Sequence, residues 1–201
     1  MNCKKDNTEG KKILQQNCKP EKQDSSDRSS LKDLVDEYRK KYENSYKLEN
    51  AWWGNKKLTW EEAIKRAWES KLPDGKMHSH QYHVAKYLPD GLEIALADSK
   101  KPKDFKDFES LHNWVKSIVD RVHGLGPVTA YDVAQRLGLR LELEPSMVYL
   151  HAGTREGAKK LGIDGDVVLL SDFPKEIQSL VATHAENFLC LYKNCLTPNM
   201  K

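Results

Sequence analysis

One stretch near the middle of the 201-residue chain decides the fold, Val122-His123-Gly124-Leu125-Gly126-Pro127-Val128-Thr129-Ala130. Gly124 and Gly126 permit backbone conformations with positive φ, which a tight turn often needs. Pro127 suits the first position of a helix, where the missing amide costs no hydrogen bond. The stretch therefore predicts a turn that ends one helix and starts the next.

Amphipathic patterns flank this hairpin (residues 122–130) on both sides. From about Asp104 to Val122, apolar residues recur every three or four positions, which is typical of a long helix with one buried face. After the turn the helical spacing continues to Gly138, a natural C-cap. We predict two helices joined by this hairpin over about residues 105–138.

A turn of this kind leaves backbone amides unpaired at a helix N-terminus, the geometry that receives a phosphate oxygen. Thr129 would add a hydroxyl, and Ala130 would let the helices pack closely. The residues that we expect to contact nucleic acid in the hairpin are His123, Gly124, Leu125, Gly126, Val128 and Thr129. The alternative is that Gly-Leu-Gly-Pro is only a tight turn between packed helices.

The hairpin resembles the helix-hairpin-helix family, whose turn has the pattern apolar-x-Gly-apolar-Gly, two variable residues, and often Thr-Ala or Lys-Ala. This resemblance covers about twenty residues and implies sequence-independent contact with the backbone of DNA, occasionally RNA. Within the superfamily the chain looks most like the DNA glycosylases. It departs from them at both catalytic positions, because Val128 replaces the Lys and Tyr149-Leu150-His151 holds no Asp.

Catalysis therefore stays open. A glycosylase needs a carboxylate to stabilise developing positive charge on the sugar, and the matching segment offers none. His151 could act as an acid or base, although a histidine before a helix is commonly structural. Arg155 could bind a phosphate.

The rest of the sequence predicts a mainly α-helical domain over residues 31–201, preceded by a flexible polar tail over residues 1–30. The other predicted helices run from Ser30 to about Tyr46, from Thr59 to before Pro73, from His80 to Leu88, from Arg155 to Leu161, and onward from Pro174. The helix after His80 is expected to stop at Pro89-Asp90-Gly91. Only Leu139–Leu143 and Val167–Leu170 have the pattern of strands.

Composition narrows the classes of partner. The net charge is +3 and no stretch has 18 consecutive apolar residues, so an anionic partner is permitted, no membrane contact is indicated and we expect a cytoplasmic protein. The sequence indicates neither cofactor nor metal, because His78, His80 and His83 do not share one face and have only Asp74 nearby. Metal binding by these histidines is left open, and they are expected at the surface.

Three functions are consistent with these features. The leading one is a DNA-binding protein that grips the backbone through the hairpin. The second is a divergent glycosylase-like or other nucleic-acid-processing enzyme that uses His151 or the histidines between His78 and His83. The third is a helical protein-interaction domain whose hairpin is only a turn. The sequence does not distinguish DNA from RNA, single from double strands, or one oligomeric state from another.

Overall fold

The structure is a computed structural model that describes residues 29–198 and 200. Most of the tail predicted over residues 1–30 lies outside the described residues. Ser30 is the N-cap of the first helix, and its hydroxyl accepts a hydrogen bond from the Asp33 amide. The described chain is mainly α-helical, so the predicted fold class is confirmed.

The first predicted helix is present and ends slightly early. Helix α1 covers Leu31–Tyr38 and continues as a π-helical segment, Arg39–Glu43, so the helix predicted from Ser30 ends about three residues before Tyr46. Helix α2 covers Lys47–Trp53, beyond the predicted end, and was not predicted.

Helix α3 covers Trp60–Glu69, as its start signal predicts. The Thr59 hydroxyl accepts from the Glu62 amide, and the Glu62 carboxylate accepts from the Thr59 amide, so the capping box is complete. The helix ends at Ser70, which adopts a left-handed conformation. Ala63, Ala67 and their neighbours on the same face are buried.

The next helices differ from the prediction. Ser79–Val84 forms a 3₁₀ helix, and helix α4 covers Leu88–Ala97. Pro89 therefore lies in the first turn of a helix instead of ending one. Proline is tolerated there because the amides of the first turn have no intrahelical partner. A short 3₁₀ turn, Pro102–Asp104, follows.

Helix α5 covers Phe108–Val119 and helix α6 covers Pro127–Leu141, with the hairpin between them. The Asp107 carboxylate caps α5 by accepting from the Ser110 amide. Helix α6 runs through Gly138 and three residues beyond it, so the strand predicted at 139–143 is wrong. Leu141 and Leu143 pack against the hydrophobic core, and Arg140 Nη2 donates to the Leu58 carbonyl at 2.9 Å.

A small two-stranded antiparallel sheet lies after α6 in the described part of the chain. Strand β1 covers Met147–Tyr149 and strand β2 covers Val167–Leu169. Val148 pairs with Val168 at the centre of the ladder. Helix α7, Ala152–Lys160, connects the strands and begins three residues earlier than predicted, with His151 as its N-cap.

The C-terminal part contains helix α8, Lys175–Gln178, and helix α9, Ala182–Tyr192. The predicted helix after Pro174 is therefore divided in two. Helix α9 packs along α7. No helix among the described residues is long and apolar enough to cross a membrane.

The buried side chains form two hydrophobic clusters. The first joins α3, α4, α5 and α6, with Trp68, Leu111 and Leu137 at its centre. The second joins α1, α7, α8 and α9 around Ile177 and Phe188. Helices α6 and α9, which belong to different clusters, both contribute side chains to the cavity described below.

Candidate functional site

The hairpin turn is shaped by one glycine in a left-handed conformation. Gly124 has φ of +94°, and a Cβ placed on it would lie 2.3 Å from the Tyr87 ring. Gly126 is extended, with φ of −150°, and a Cβ there would meet nothing within 4 Å. The positive φ expected of both glycines is found only at Gly124.

Three backbone amides at the start of α6 have no partner among the described residues. The amides of Gly126, Val128 and Thr129 donate to no carbonyl or side chain there, and Gly126 has no side chain that could cap the helix. The Ala130 amide is the first to be satisfied, by the Gly126 carbonyl at 3.1 Å. These amides form a potential anion-binding group at the N-terminus of a 15-residue helix.

Two of the predicted hairpin contacts are internal. The Thr129 side chain is buried, and its hydroxyl donates to Gln81 Oε1 at 3.3 Å, so it is not available to a ligand as expected. The Leu125 amide donates to the Val122 carbonyl, and its side chain packs against the first hydrophobic cluster. Of the donors at these two positions, only the Thr129 amide has no partner among the described residues.

Arg155 also differs from its predicted role. Its guanidinium donates to the Leu150 carbonyl, at 2.8 Å from Nη2, and forms an ion pair with Asp166. The side chain therefore joins the start of α7 to the loop before β2. Its Nη1 has no hydrogen-bond partner among the described residues, so this nitrogen remains available to a phosphate.

Exposed positive charge lies beside the turn. Lys86 Nζ is 4.7 Å from the centre of the Tyr87 ring, the same ring that packs on Gly124. Arg121 and His123 are exposed at the end of α5 and in the turn. Neither Lys86 nor Arg121 forms an ion pair with a carboxylate of the described chain.

A polar cavity of about 290 Å³ lies one helical turn further along α6. Its walls come from α2, the 3₁₀ helix at 79–84, α6 and α9. The ionisable side chains that line it are Glu49, His78, His80, Asp132, Arg136, His184, Glu186, Tyr46, Tyr131 and Cys190. Such a concentration of ionisable groups in a closed space is typical of functional sites.

Asp132 is the centre of the hydrogen-bond network. Its Oδ2 accepts from Gln81 Nε2 at 2.8 Å and lies 3.3 Å from His80 Nδ1. Burial alone raises the pKa of this carboxyl, but the hydrogen bond to His80 and the charge of Arg136 outweigh burial and lower the pKa to about 2. Asp132 is therefore a buried carboxylate that stays ionised.

The His78 and His80 rings lie edge to face, with ring centres 4.8 Å apart. Their ligand atoms and a carboxylate oxygen of Asp132 all lie within 4.8 Å of one another. His83 is exposed and is not part of this group, and Asp74 pairs with Lys76 instead. The expectation that these histidines lie at the surface is therefore wrong for His78, whose Nδ1 is buried without a hydrogen-bond partner.

Glu186 is the second buried carboxyl of the cavity. Thr154 Oγ1 donates to its Oε1 at 2.6 Å. Burial, with the negative charge of Asp132, raises the pKa of Glu186 to about 7. The two carboxyls therefore differ strongly in their protonation, as acid and base residues of one site often do.

His151, the sequence candidate for catalysis, lies beside Glu186. Its Nε2 is 3.9 Å from Glu186 Oε1 and has no hydrogen-bond partner, although it is buried. Burial lowers the pKa of this imidazole. The ring also packs against Tyr131, with centres 5.1 Å apart.

Asp132, Arg136 and Glu186 were not identified from the sequence. Asp132 and Arg136 stand four residues apart on α6 among buried apolar neighbours, so two charged residues on the inner face of a helix are the signal that marks them. Glu186 has a comparable position beside Ala185 on α9.

Comparison of the chain with protein-family models, curated proteins and solved structures gave no match.

Proposed function

We propose that the protein binds the backbone of DNA through the hairpin, without recognising base sequence. The observation that carries the proposal is the set of three unpaired amides of Gly126, Val128 and Thr129 at the start of α6. A phosphate oxygen can accept from such amides and is favoured there by the helix dipole. The proposal includes membership of the helix-hairpin-helix superfamily, which the hairpin resembles. It also includes the cytoplasmic location that the sequence predicts.

The surroundings of the turn support an anionic ligand. Lys86 and Arg121 lie next to the turn and form no ion pair among residues 29–198, although Arg121 shares a surface cavity with Asp90, Glu93 and Asp98. His123 adds a further donor at the surface. Lys159 is less available, because it faces Asp164 at 3.9 Å. The positive charge is local, as a net charge of +3 requires.

Contacts of this kind predict how binding depends on salt and sequence. Backbone amides and lysines contact phosphates, which are the same in every sequence. Each phosphate neutralised by Lys or Arg in duplex DNA contributes about −0.9 to the slope of log K against log salt concentration. With Lys86 and Arg121 engaged, we expect a slope of roughly −2.

A salt-titrated fluorescence anisotropy measurement tests the proposal. The full chain is titrated into labelled duplexes of unrelated sequence, and into single-stranded DNA and RNA of matching length. We expect similar dissociation constants for all duplexes, with affinity that falls as salt rises. Absence of binding at low salt would contradict the proposal and favour the protein-interaction alternative, and strong preference for one sequence would contradict backbone recognition.

The cavity favours a second candidate, an enzyme that acts on nucleic acid. Asp132 remains ionised and Glu186 has a pKa of about 7, so one group can stabilise positive charge while the other donates or accepts a proton. His151 lies next to Glu186. The absence of an Asp from the segment around His151 removes only the glycosylase arrangement, since Asp132 supplies a carboxylate from α6.

Turnover distinguishes the enzyme from the binding protein. Damaged and undamaged duplexes are incubated with the protein, with and without divalent metal, and base release and strand cleavage are measured. The enzymatic candidate predicts product that falls at least a hundredfold in Glu186→Gln and in His151→Ala. His83→Ala, at an exposed histidine outside the cavity, is the control and should retain full activity. Lack of product over the whole panel would leave the binding function alone.

A further inference from the structure

We propose that His78, His80 and Asp132 bind a divalent transition-metal ion in the cavity. Two imidazoles and one carboxylate are a common ligand set for Zn²⁺ and Fe²⁺ in proteins. Here the three donor atoms lie within 4.8 Å of one another, although the chain separates His80 from Asp132 by more than fifty residues. This site is independent of the hairpin, and either could exist without the other.

One ring nitrogen of His78 is available to bind a metal ion. Its Nδ1 is buried and has no hydrogen-bond partner. On the other side of the ring, Nε2 lies 3.6 Å from Glu49 Oε1. The carboxylate favours the tautomer with the proton on Nε2, which leaves the lone pair of Nδ1 directed away from it. A carboxylate behind a metal-binding histidine is a frequent arrangement, because it fixes the tautomer and the ring orientation.

Small side-chain movements would bring the three donor atoms to the separations found around a bound metal ion. Donor atoms about 2.1 Å from a tetrahedral metal lie roughly 3.4 Å from one another. The His80 side chain, which is half exposed, can rotate inward to shorten the distances observed here. Asp132 is held in place by Gln81, so His80 is the ligand that moves.

The charges around the cavity favour a cation. The cavity holds the carboxylate of Asp132 and, beside His78, that of Glu49, whereas Arg136 is its only permanently positive side chain among the described residues. Arg136 is directed elsewhere, since Nη1 donates to Ser70 Oγ at 2.6 Å and the Ala67 carbonyl at 3.1 Å. Its Nη2 is 3.9 Å from Asp132 Oδ2, which leaves room for a second positive partner of this carboxylate.

The arrangement corresponds to an open metal site. Three protein ligands leave at least one coordination position free, and the cavity of about 290 Å³ provides space for water or a small ligand at that position. A closed structural site would require a fourth protein ligand. We therefore assign the site to an exchangeable, functional ion.

Titration of the full chain with Co²⁺ and Zn²⁺ alone, after treatment with chelator, tests the proposal. Visible absorption of Co²⁺ reports the ligands, and calorimetry with Zn²⁺ reports stoichiometry and affinity. We expect one ion per chain with micromolar or tighter affinity. Affinity should fall at least tenfold in His80→Ala and in Asp132→Asn, and should be unchanged in His83→Ala, the matched neighbouring histidine.

His80→Ala is the decisive variant, because a half-exposed side chain can be removed with little effect on folding, and circular dichroism of the variant checks that it is folded. Equal affinity in wild type and His80→Ala would overturn the proposal, as would equal losses in His80→Ala and His83→Ala. Strong near-ultraviolet charge transfer from sulfur to cobalt would place the ion on cysteine and would also overturn it. Absence of stoichiometric binding to the wild type would do the same.

Discussion

Two independent constraints act on Gly124, at the centre of the hairpin. Its φ of +94° strains any L-residue with a side chain, and the Tyr87 ring occupies the place of a Cβ. Gly162 has a similar φ, +78°, but nothing within 4 Å of a Cβ. Alanine substitutions at Gly124 and Gly162 therefore distinguish the cost of backbone strain, present at both positions, from the cost of the steric conflict, present only at Gly124.

We predict that Gly124→Ala lowers the free energy of unfolding by roughly 2–4 kcal/mol, because strain and overpacking add. Gly162→Ala should cost only about 1 kcal/mol, the strain alone. Urea denaturation of both variants measures the difference. Equal losses would show that the Tyr87 ring does not restrict the turn.

Glu186 gives the stability of the protein a distinctive dependence on pH. Its pKa is raised to about 7 in the folded chain, above its ordinary value of 4.5, so the folded state prefers the protonated carboxyl. This contribution to stability is fully present below pH 4.5 and is lost as pH rises to about 7. Glutamine resembles the protonated form and can still accept from Thr154.

We therefore predict that Glu186→Gln and the wild type have similar stability near pH 4.5, and that the variant becomes more stable by roughly 2–3 kcal/mol at pH 8. Urea denaturation at several pH values, in the presence of chelator, measures the difference between the two proteins. If the difference did not change between pH 4.5 and 8, the carboxyl would not be buried as described.

At the scale of helices, α7 and α9 approach closely because Gly157 has no side chain. A Cβ on Gly157 would lie 2.4 Å from the Leu189 carbonyl oxygen, which belongs to the backbone and cannot move alone. Alanine normally stabilises an exposed helix by about 1 kcal/mol relative to glycine. At this position the steric conflict opposes the gain in helix propensity.

We predict that Gly157→Ala destabilises the protein by about 1–3 kcal/mol. Glu156→Ala, one residue earlier on the exposed face of α7, should change stability by less than about 1 kcal/mol, since it removes only a surface ion pair with Lys193. Thermal unfolding of the two variants compares the positions. Stabilisation by Gly157→Ala would show that the helices are not in close contact there.

Local signals predict some of these helices and mislead about others. The apolar period from Phe105 to Val122 locates α5, and the Thr59 capping box locates the start of α3, because both depend on neighbours in sequence. Pro89-Asp90-Gly91 has the residues of a turn but starts α4, where Leu88 and Gly91 pack against the first cluster. These residues could form either a turn or the first turn of a helix, and tertiary packing favours the helix.

The candidate site is predictable only in part, for the same reason. The hairpin is contained in nine consecutive residues, so its glycines and Pro127 could be identified directly. The cavity joins His80 to Asp132 and Thr154 to Glu186, pairs that are distant in sequence. The sequence shows His78, His80 and His151 as candidates, but His78 and His80 share a cavity with Asp132 and Glu186 only because the fold brings the 3₁₀ helix, α6 and α9 around it.

On the scale of the whole molecule, helix α6 connects the hairpin to the cavity. Its first turn carries the unpaired amides, and the Thr129 hydroxyl donates to Gln81, which in turn donates to Asp132. A ligand at the hairpin would therefore lie about one helical turn from the buried ionisable groups. This proximity is what makes both binding and chemistry on nucleic acid physically reasonable for one chain.

Gly126 offers the most direct test of the hairpin, because the N-cap position has free space. In Gly126→Asp the new carboxylate can accept from the amides of Val128 and Thr129, which would stabilise α6 by a few tenths of a kcal/mol to about 1 kcal/mol. The same carboxylate would block these amides and repel phosphate. Gly126→Ala adds a Cβ without a charge or an acceptor, so it is the matched control.

The decisive measurement is the affinity of wild type, Gly126→Asp and Gly126→Ala for one labelled DNA duplex at low salt, with unfolding free energies measured on the same samples. We expect Gly126→Asp to lose at least tenfold in DNA affinity while its stability is equal or higher, and Gly126→Ala to bind DNA within about threefold of wild type. Wild-type affinity in Gly126→Asp would contradict the claim that the hairpin amides bind the DNA backbone.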